Sequence, residues 1–211
     1  MKILIINPNS DEETNETIRK KAESFVKGAY EVEVKSLTKT PKLVSSYKDI
    51  ALGAGEMMDL VREGEAYDAF IVACHSDPNL DLLKEITSKP VVGIAEASMK
   101  LASMAGNSFA VISPSVKSIS KKIALARKYH CENLFQATRV SASNETEDIY
   151  QAAKAAVEES YVDCIVLGCA NYANADKYCE EKLQVPVFDG VACALMMAQG
   201  LVRYQQYKTC K

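Results

Sequence analysis

Short apolar runs and amphipathic stretches alternate along the whole chain. Residues 2–7 hold the uninterrupted run Ile3-Leu4-Ile5-Ile6, which predicts a buried first strand. Asn9-Ser10-Asp11-Glu12 follows, a group of capping and acidic residues that opens a helix to about residue 27. Residues 30–37 switch between apolar and charged with period two, the pattern of a strand near a sheet edge. The next segments read as helix over 50–65, buried strand over 68–73, and helix to about 88 capped by Ser76-Asp77-Pro78. Strand 90–94 and helix 95–105 come after them. The second half repeats the alternation: strands at 108–112, 134–140, 163–167 and 185–188, with helices at 116–129, 145–159, 175–183 and 191–204. Strands separated by helices of ten or so residues imply right-handed crossovers and parallel sheets covered on both faces. An eight-stranded barrel would also fit the alternation, at the low end of its usual size.

An internal repeat separates these architectures. Asp68, Cys74, Pro90 and Ala97 recur in order as Asp163, Cys169, Pro186 and Ala194, at offsets of 95, 95, 96 and 97. A near-constant offset over some thirty residues marks two copies of one unit. The expected fold is therefore α/β with two pseudo-symmetric lobes, each a parallel sheet flanked by helices, and the active site between them. Lobe 1 takes residues 1–94 plus 190–211, and lobe 2 residues 95–189.

Composition narrows the function. The 211 residues are 48% hydrophobic and 25% charged, with a formal charge of −3, an ordinary globular mixture. No basic stripe stands out, which argues against nucleic acid or anionic membrane as a partner. No apolar run approaches the roughly 20 residues of a membrane span, and the opening residues do not read as a signal peptide. The expected location is the cytoplasm. Seven cysteines and two histidines show no C-x-x-C pair and no closed set of zinc ligands, so no metal is expected. Gly53-Ala54-Gly55 lacks the third glycine of a dinucleotide fingerprint.

The repeated thiols carry the chemistry. Cys74 and Cys169 each follow a buried strand, where parallel sheets collect ligands and where the next helix favours a thiolate. Free cysteine is also a common core filler, the reading that suits the other five. Two sulfurs on opposite walls can invert a carbon acid, one removing a proton from one face while the other delivers one to the opposite face. The carbanion between them needs fixed hydrogen-bond donors. The amides after each cysteine, Asn9, Ser10, Ser76, Ser113 and Asn171 are candidates; Asn9 and Ser10 read equally well as helix caps. His75, beside Cys74, is taken as a pocket contact.

Five linked motifs, spread in order over nearly the whole chain, resemble the aspartate/glutamate racemase superfamily and within it the hydantoin and allantoin racemase branch. They are Ile5-Ile6-Asn7-Pro8-Asn9-Ser10, Ala73-Cys74 with Ser76-Asp77-Pro78, Pro90-Val91-Val92-Gly93-Ile94-Ala95-Glu96-Ala97, Val166-Leu167-Gly168-Cys169-Ala170, and Val185-Pro186-Val187-Phe188-Asp189-Gly190-Val191-Ala192. The resemblance implies a cofactor-independent racemase or epimerase, a small-molecule substrate, an interlobe site and a homo-oligomer. By motif, Cys74 and Cys169 would be the acid/base pair, with Asn9, Ser10, Ser76 and Ser113 binding substrate; His75, Ala170 and Asn171 join them as candidate contacts from their places beside the two thiols. The Cys-Asn-Thr and Cys-Thr-His motifs of glutamate racemases are lacking. His75 and Ser76 stand where an aromatic and a glycine are common in hydantoin racemases, and Asn171-Tyr172 replace a Gly-Met pair. A hydantoin-like ring is the expected substrate. The alternatives are an amino acid (aspartate or glutamate), or a one-thiol decarboxylase or isomerase of the same fold.

Overall fold

The computed structural model describes residues 1–172 and 174–209; Cys210, expected in the tail, and the last residue of the expected lobe 1 lie outside the described residues. The first half runs β1 (Lys2–Asn7), α1 (Glu12–Val26), β2 (Glu31–Ser36), α2 (Tyr47–Arg62), β3 (Ala69–Val72), α3 (Leu80–Ile86), β4 (Val91–Gly93) and α4 (Ile94–Ala105). The second runs β5 (Phe109–Ser113), α5 (Ile119–Lys128), β6 (Phe135–Val140), α6 (Thr146–Ser160), β7 (Cys164–Leu167), α7 (Ala175–Leu183), β8 (Val187–Asp189) and α8 (Gly190–Thr209). Short 3-10 turns at Val116–Ser118 and Ala170–Tyr172 precede α5 and α7.

The strands form two four-stranded parallel sheets in the orders β2-β1-β3-β4 and β6-β5-β7-β8. Adding four to each number of the first order gives the second, so the duplication extends over a whole sheet and not only over the thirty matched residues. The central strands β1, β3, β5 and β7 are buried over nearly their full length, as their apolar runs require. β2 lies at a sheet edge and is half-exposed, which is why its residues alternate.

Each sheet is covered on both faces. α1 and α8 pack on one face of the first sheet, through Ile18 and Ala22 and through Ala194, Leu195, Ala198 and Val202 against Ile3, Ile5 and Ile71. Met57, Val61, Leu80 and Leu83 of α2 and α3 cover the other face. In the second sheet, α6 and α7 cover one face, while Ala95, Met99 and Ala102 of α4 join Leu125 and Ala126 of α5 on the other. α4 thus leaves the first sheet and packs on the second, and α8 does the reverse. Each of the larger buried side chains here, such as Leu195, Val202 and Met99, contributes roughly 1.5–3 kcal/mol, so the exchange couples the two halves. The starts of the two helices touch: a Cβ on Gly190 would lie 2.9 Å from Ile94 Cβ.

Several helix starts differ from the sequence expectation. The cap of α1 is Asp11, whose Oδ2 accepts from the Thr14 amide at 3.0 Å, while Asn9 accepts from the Asp11 amide at 2.9 Å in a local turn. α2 begins three residues earlier than expected because Ser46 and Asp49 form a reciprocal capping box. α3 begins later, at Leu80, because the Asp77 side chain serves a different helix. Among the described residues no helix is long and apolar enough to cross a membrane.

Candidate active site

In each sheet the strand order reverses beside the first strand, between β1 and β3 and again between β5 and β7. In open parallel sheets, ligands collect beyond the carboxyl ends at such a switch point. Cys74 lies two residues past β3, and Cys169 two residues past β7. Asn9 and Ser10 follow β1, and Ser113 ends β5. The small residue before each thiol has a physical reason. Ala73 and Gly168 donate backbone N–H bonds to Ile6 and Ile112 carbonyls at 2.9 and 2.7 Å, which carries the chain tightly past the neighbouring strand. At Gly168 a Cβ would lie 2.4 Å from Ile112 O, so glycine is required there.

Accessibility separates the thiols. Of the six described cysteines, Cys131, Cys164, Cys179 and Cys193 are buried, while Cys74 and Cys169 are partly accessible. Cys74 Sγ lies 3.2 Å from Ser76 Oγ, a hydroxyl able to donate to a thiolate. Desolvation pushes the Cys169 thiol above its ordinary pKa; the Asn171 amide and Lys122 oppose that rise, and the charge of Cys74 adds to it.

Lys122 joins the two thiol-bearing strand ends. It lies on α5 and is 4% exposed. Nζ donates to the carbonyl of His75, just after Cys74, at 2.5 Å, and to the carbonyl of Gly168, just before Cys169, at 3.0 Å. The third contact is His75 Nδ1 at 3.0 Å. An ammonium has three donors and no acceptor, so Nδ1 must accept and His75 must carry its proton on Nε2. That N–H points to Ser98 Oγ at 3.3 Å, whose hydroxyl donates to Ile94 O at 2.7 Å. Burial and the facing Lys122 push the His75 pKa well below its ordinary value, in keeping with a neutral ring. Burial likewise pushes Lys122 down to about 8, while Cys74, Cys169 and Asp77 favour its charged form.

Asp77 binds the Cys74 loop to α4. Its backbone amide donates to Cys74 O at 2.9 Å. Its carboxylate accepts from the Ala95 amide at 3.1 Å, the Glu96 amide at 2.7 Å and the Tyr129 hydroxyl at 2.5 Å. α4 has no capping side chain of its own, so Asp77 supplies the cap from a distance. Burial raises its pKa to about 6 against the pull of those three donors.

Of the residues expected at the site, Ser76, Ala170 and Asn171 lie beside the two thiols, with Ala170 and Asn171 in the turn immediately after Cys169. The Asn171 Oδ1 atom is buried without a hydrogen-bond partner, as an acceptor awaiting a donor would be. Ser113 is fully buried and bonded to Ser118 Oγ, and Asn9 is held in its turn. His75 is 3% exposed, with both ring nitrogens engaged within the protein. Sequence reasoning missed Lys122 altogether. In the run Ser120-Lys121-Lys122-Ile123 it looks like one more surface lysine, and only its lying on the apolar side of the helix with Leu125 and Ala126 marks it.

The profile of the Asp/Glu/Hydantoin racemase family matches residues 3–198. The hydantoin racemase of Paenarthrobacter aurescens is 32% identical over 224 residues, covering 100% of this chain and 94% of its own length. The hydantoin racemase of a Pseudomonas strain is 33% identical over 216 residues, covering 96% of this chain and 86% of its own. Among solved structures, the allantoin racemase of Klebsiella pneumoniae aligns with a TM-score of 0.90 at 25% identity, over 97% of this chain and 89% of that one.

Proposed function

Because the chain belongs to the Asp/Glu/hydantoin racemase family and is an isomerase, we propose that it inverts the stereocentre of a hydantoin-like ring with Cys74 and Cys169 as a two-base pair. The observation that carries the reading is that one buried ammonium bonds to both thiol-bearing strand ends. That contact supports placing the two partly accessible thiols, from equivalent points of two duplicated sheets, in one small space.

For one enantiomer, the thiolate of one cysteine takes the proton from the ring carbon. The electron pair left on that carbon delocalises into the neighbouring carbonyl. The thiol of the other cysteine then gives its proton to the opposite face. For the mirror-image substrate the two sulfurs exchange roles, and each turnover leaves the pair with the same total of one proton. Burial favours Cys169 as the resting thiol. The Ser76 hydroxyl and the amides after each cysteine are the donors that oppose the charge on Cys74 and on the substrate oxygen. We take the lobes as residues 1–94 plus 190–211 and residues 95–189, with the substrate between them, in the cytoplasm and in a homo-oligomer.

The charge pattern favours a ring over a free amino acid. Among the described residues the buried cations are Lys21 and Lys122. Lys21 is paired with Asp176 at 2.6 Å, and Lys122 has all three donors engaged. An α-carboxylate would have to be held by amides and hydroxyls without help from either buried cation, and the buried Asn171 Oδ1, an acceptor, suits a ring N–H rather than a carboxylate oxygen. Polarimetry on single enantiomers of 5-substituted hydantoins, allantoin, aspartate and glutamate tests this. Racemisation of the ureide rings alone supports the reading, and racemisation of the amino acids alone overturns it.

A further inference from the structure

Lys122 stands out from the other buried polar groups because its position is unfavourable unless its charge serves the site. A methionine would fill a similar volume without desolvating an ammonium, and replacing a buried charge by an apolar side chain is often neutral or stabilising. The lysine instead bonds to the residue after one thiol and the residue before the other. Those two carbonyl oxygens can be no further apart than the sum of their contacts with Nζ. The third N–H is taken by His75, whose far nitrogen is tied through Ser98 to the first turn of α4. With all three donors engaged, the ammonium has none left for a substrate.

We propose that Lys122 is the positioning residue of the thiol pair: it holds the two thiol-bearing strand ends together and supplies the fixed positive charge that keeps whichever sulfur acts as base ionised. The proposal rests on the two-thiol reading and adds to it the group that makes a thiolate tolerable in a water-poor gap. Cys74, Cys169, Asp77 and Lys121 are the charged or titratable groups acting on the ammonium, with His75 neutral against it. Both thiols lie within reach of its field, because a thiolate at either one strengthens its hold on its own proton. One cation shared between two anionic positions suits a reaction in which the negative charge changes sides at each turnover.

The test compares the wild type with Lys122→Met and Lys122→Gln, with folding checked by circular dichroism. Alkylation of Cys74 and Cys169 by iodoacetamide is followed against pH by peptide mass, a readout that does not depend on any substrate. The expected result is that the alkylation midpoint of at least one of the two thiols rises by about one pH unit or more in both variants. With a racemised hydantoin, kcat falls by about a hundredfold while KM changes by less than about threefold. Ethylamine added to Lys122→Ala partly restores kcat. Unchanged alkylation midpoints at both thiols in a folded variant overturn the proposal. A shifted midpoint in an enzyme that racemises no hydantoin supports the charge's role and counts against the substrate reading instead.

Discussion

Gly93→Ala tests the contact that fastens the Cys74 loop to α4. The backbone at Gly93 is extended (φ −88°, ψ 146°), a conformation any residue adopts, so the substitution brings no dihedral strain. Its effect comes from one collision. The new Cβ would lie 2.3 Å from Asp77 Cγ and 2.4 and 2.5 Å from the two carboxylate oxygens. Carbon atoms pack at about 3.5 Å or more, so the carboxylate must move by about an ångström. The three bonds it accepts, at 3.1, 2.7 and 2.5 Å, cannot all survive that shift. Hydrogen bonds to a charged group contribute about 1.5–3 kcal/mol each, and allowing for partial relaxation the loss is about 4 kcal/mol. For a chain of this size that lowers Tm by about 12 °C. Thermal unfolding followed by circular dichroism measures it, and a double-mutant cycle with Asp77→Ala isolates the cause. Once the carboxylate is gone, Gly93→Ala should cost less than about 1 kcal/mol more, a coupling of about 3 kcal/mol. A fall of less than about 3 °C for Gly93→Ala, or additive losses in the cycle, would refute the reasoning.

Three further outcomes follow from the buried charges and the tight glycine. The Lys122 pKa of about 8 lies below its ordinary 10.5, so the unfolded chain holds that proton to higher pH than the folded one. Wild-type stability, measured by urea unfolding relative to Lys122→Met, should therefore rise by about 3 kcal/mol between pH 8 and 10.5; a constant difference contradicts the buried ammonium. The Lys21–Asp176 pair, 2.6 Å long and largely buried, joins α1 to α7. Asp176→Ala should cost about 3 kcal/mol in the same assay, and Lys21→Met added to it should restore most of the loss. Gly168→Ala forces Cys169 away from β5, and we expect loss of turnover with both thiols still present, measured by racemisation and thiol titration.

Much of the fold was legible because its signals are local and repeated. The four central strands are apolar runs, and the offset between Cys74 and Cys169 leads directly to two sheets of identical order. The caps were less legible. Asn9, Ser10 and Asp11 are all good capping types, and only the observed geometry selects Asp11. Asp77 beside Pro78 looks like the start of its own helix, yet its carboxylate reaches eighteen residues along the chain to the Ala95 amide. Such a contact leaves no periodic trace. His75 shows the same limit: its adjacency to Cys74 gives no hint that its ring is buried and in contact with Lys122, forty-seven residues along the chain. Lys122 was illegible because a buried lysine is rare enough that a lysine-rich helix is read as surface.

The most direct test of the two-thiol account is proton exchange in deuterated water, followed by NMR on each pure enantiomer of a racemised hydantoin, with the wild type, Cys74→Ser and Cys169→Ser. The account predicts deuterium at the stereocentre with inversion in the wild type. Each variant should be unable to racemise yet exchange the α-proton of one enantiomer only, with opposite preferences in the two variants. If either variant racemises at the wild-type rate, or both exchange the same enantiomer, the two sulfurs do not work from opposite faces and the account is wrong.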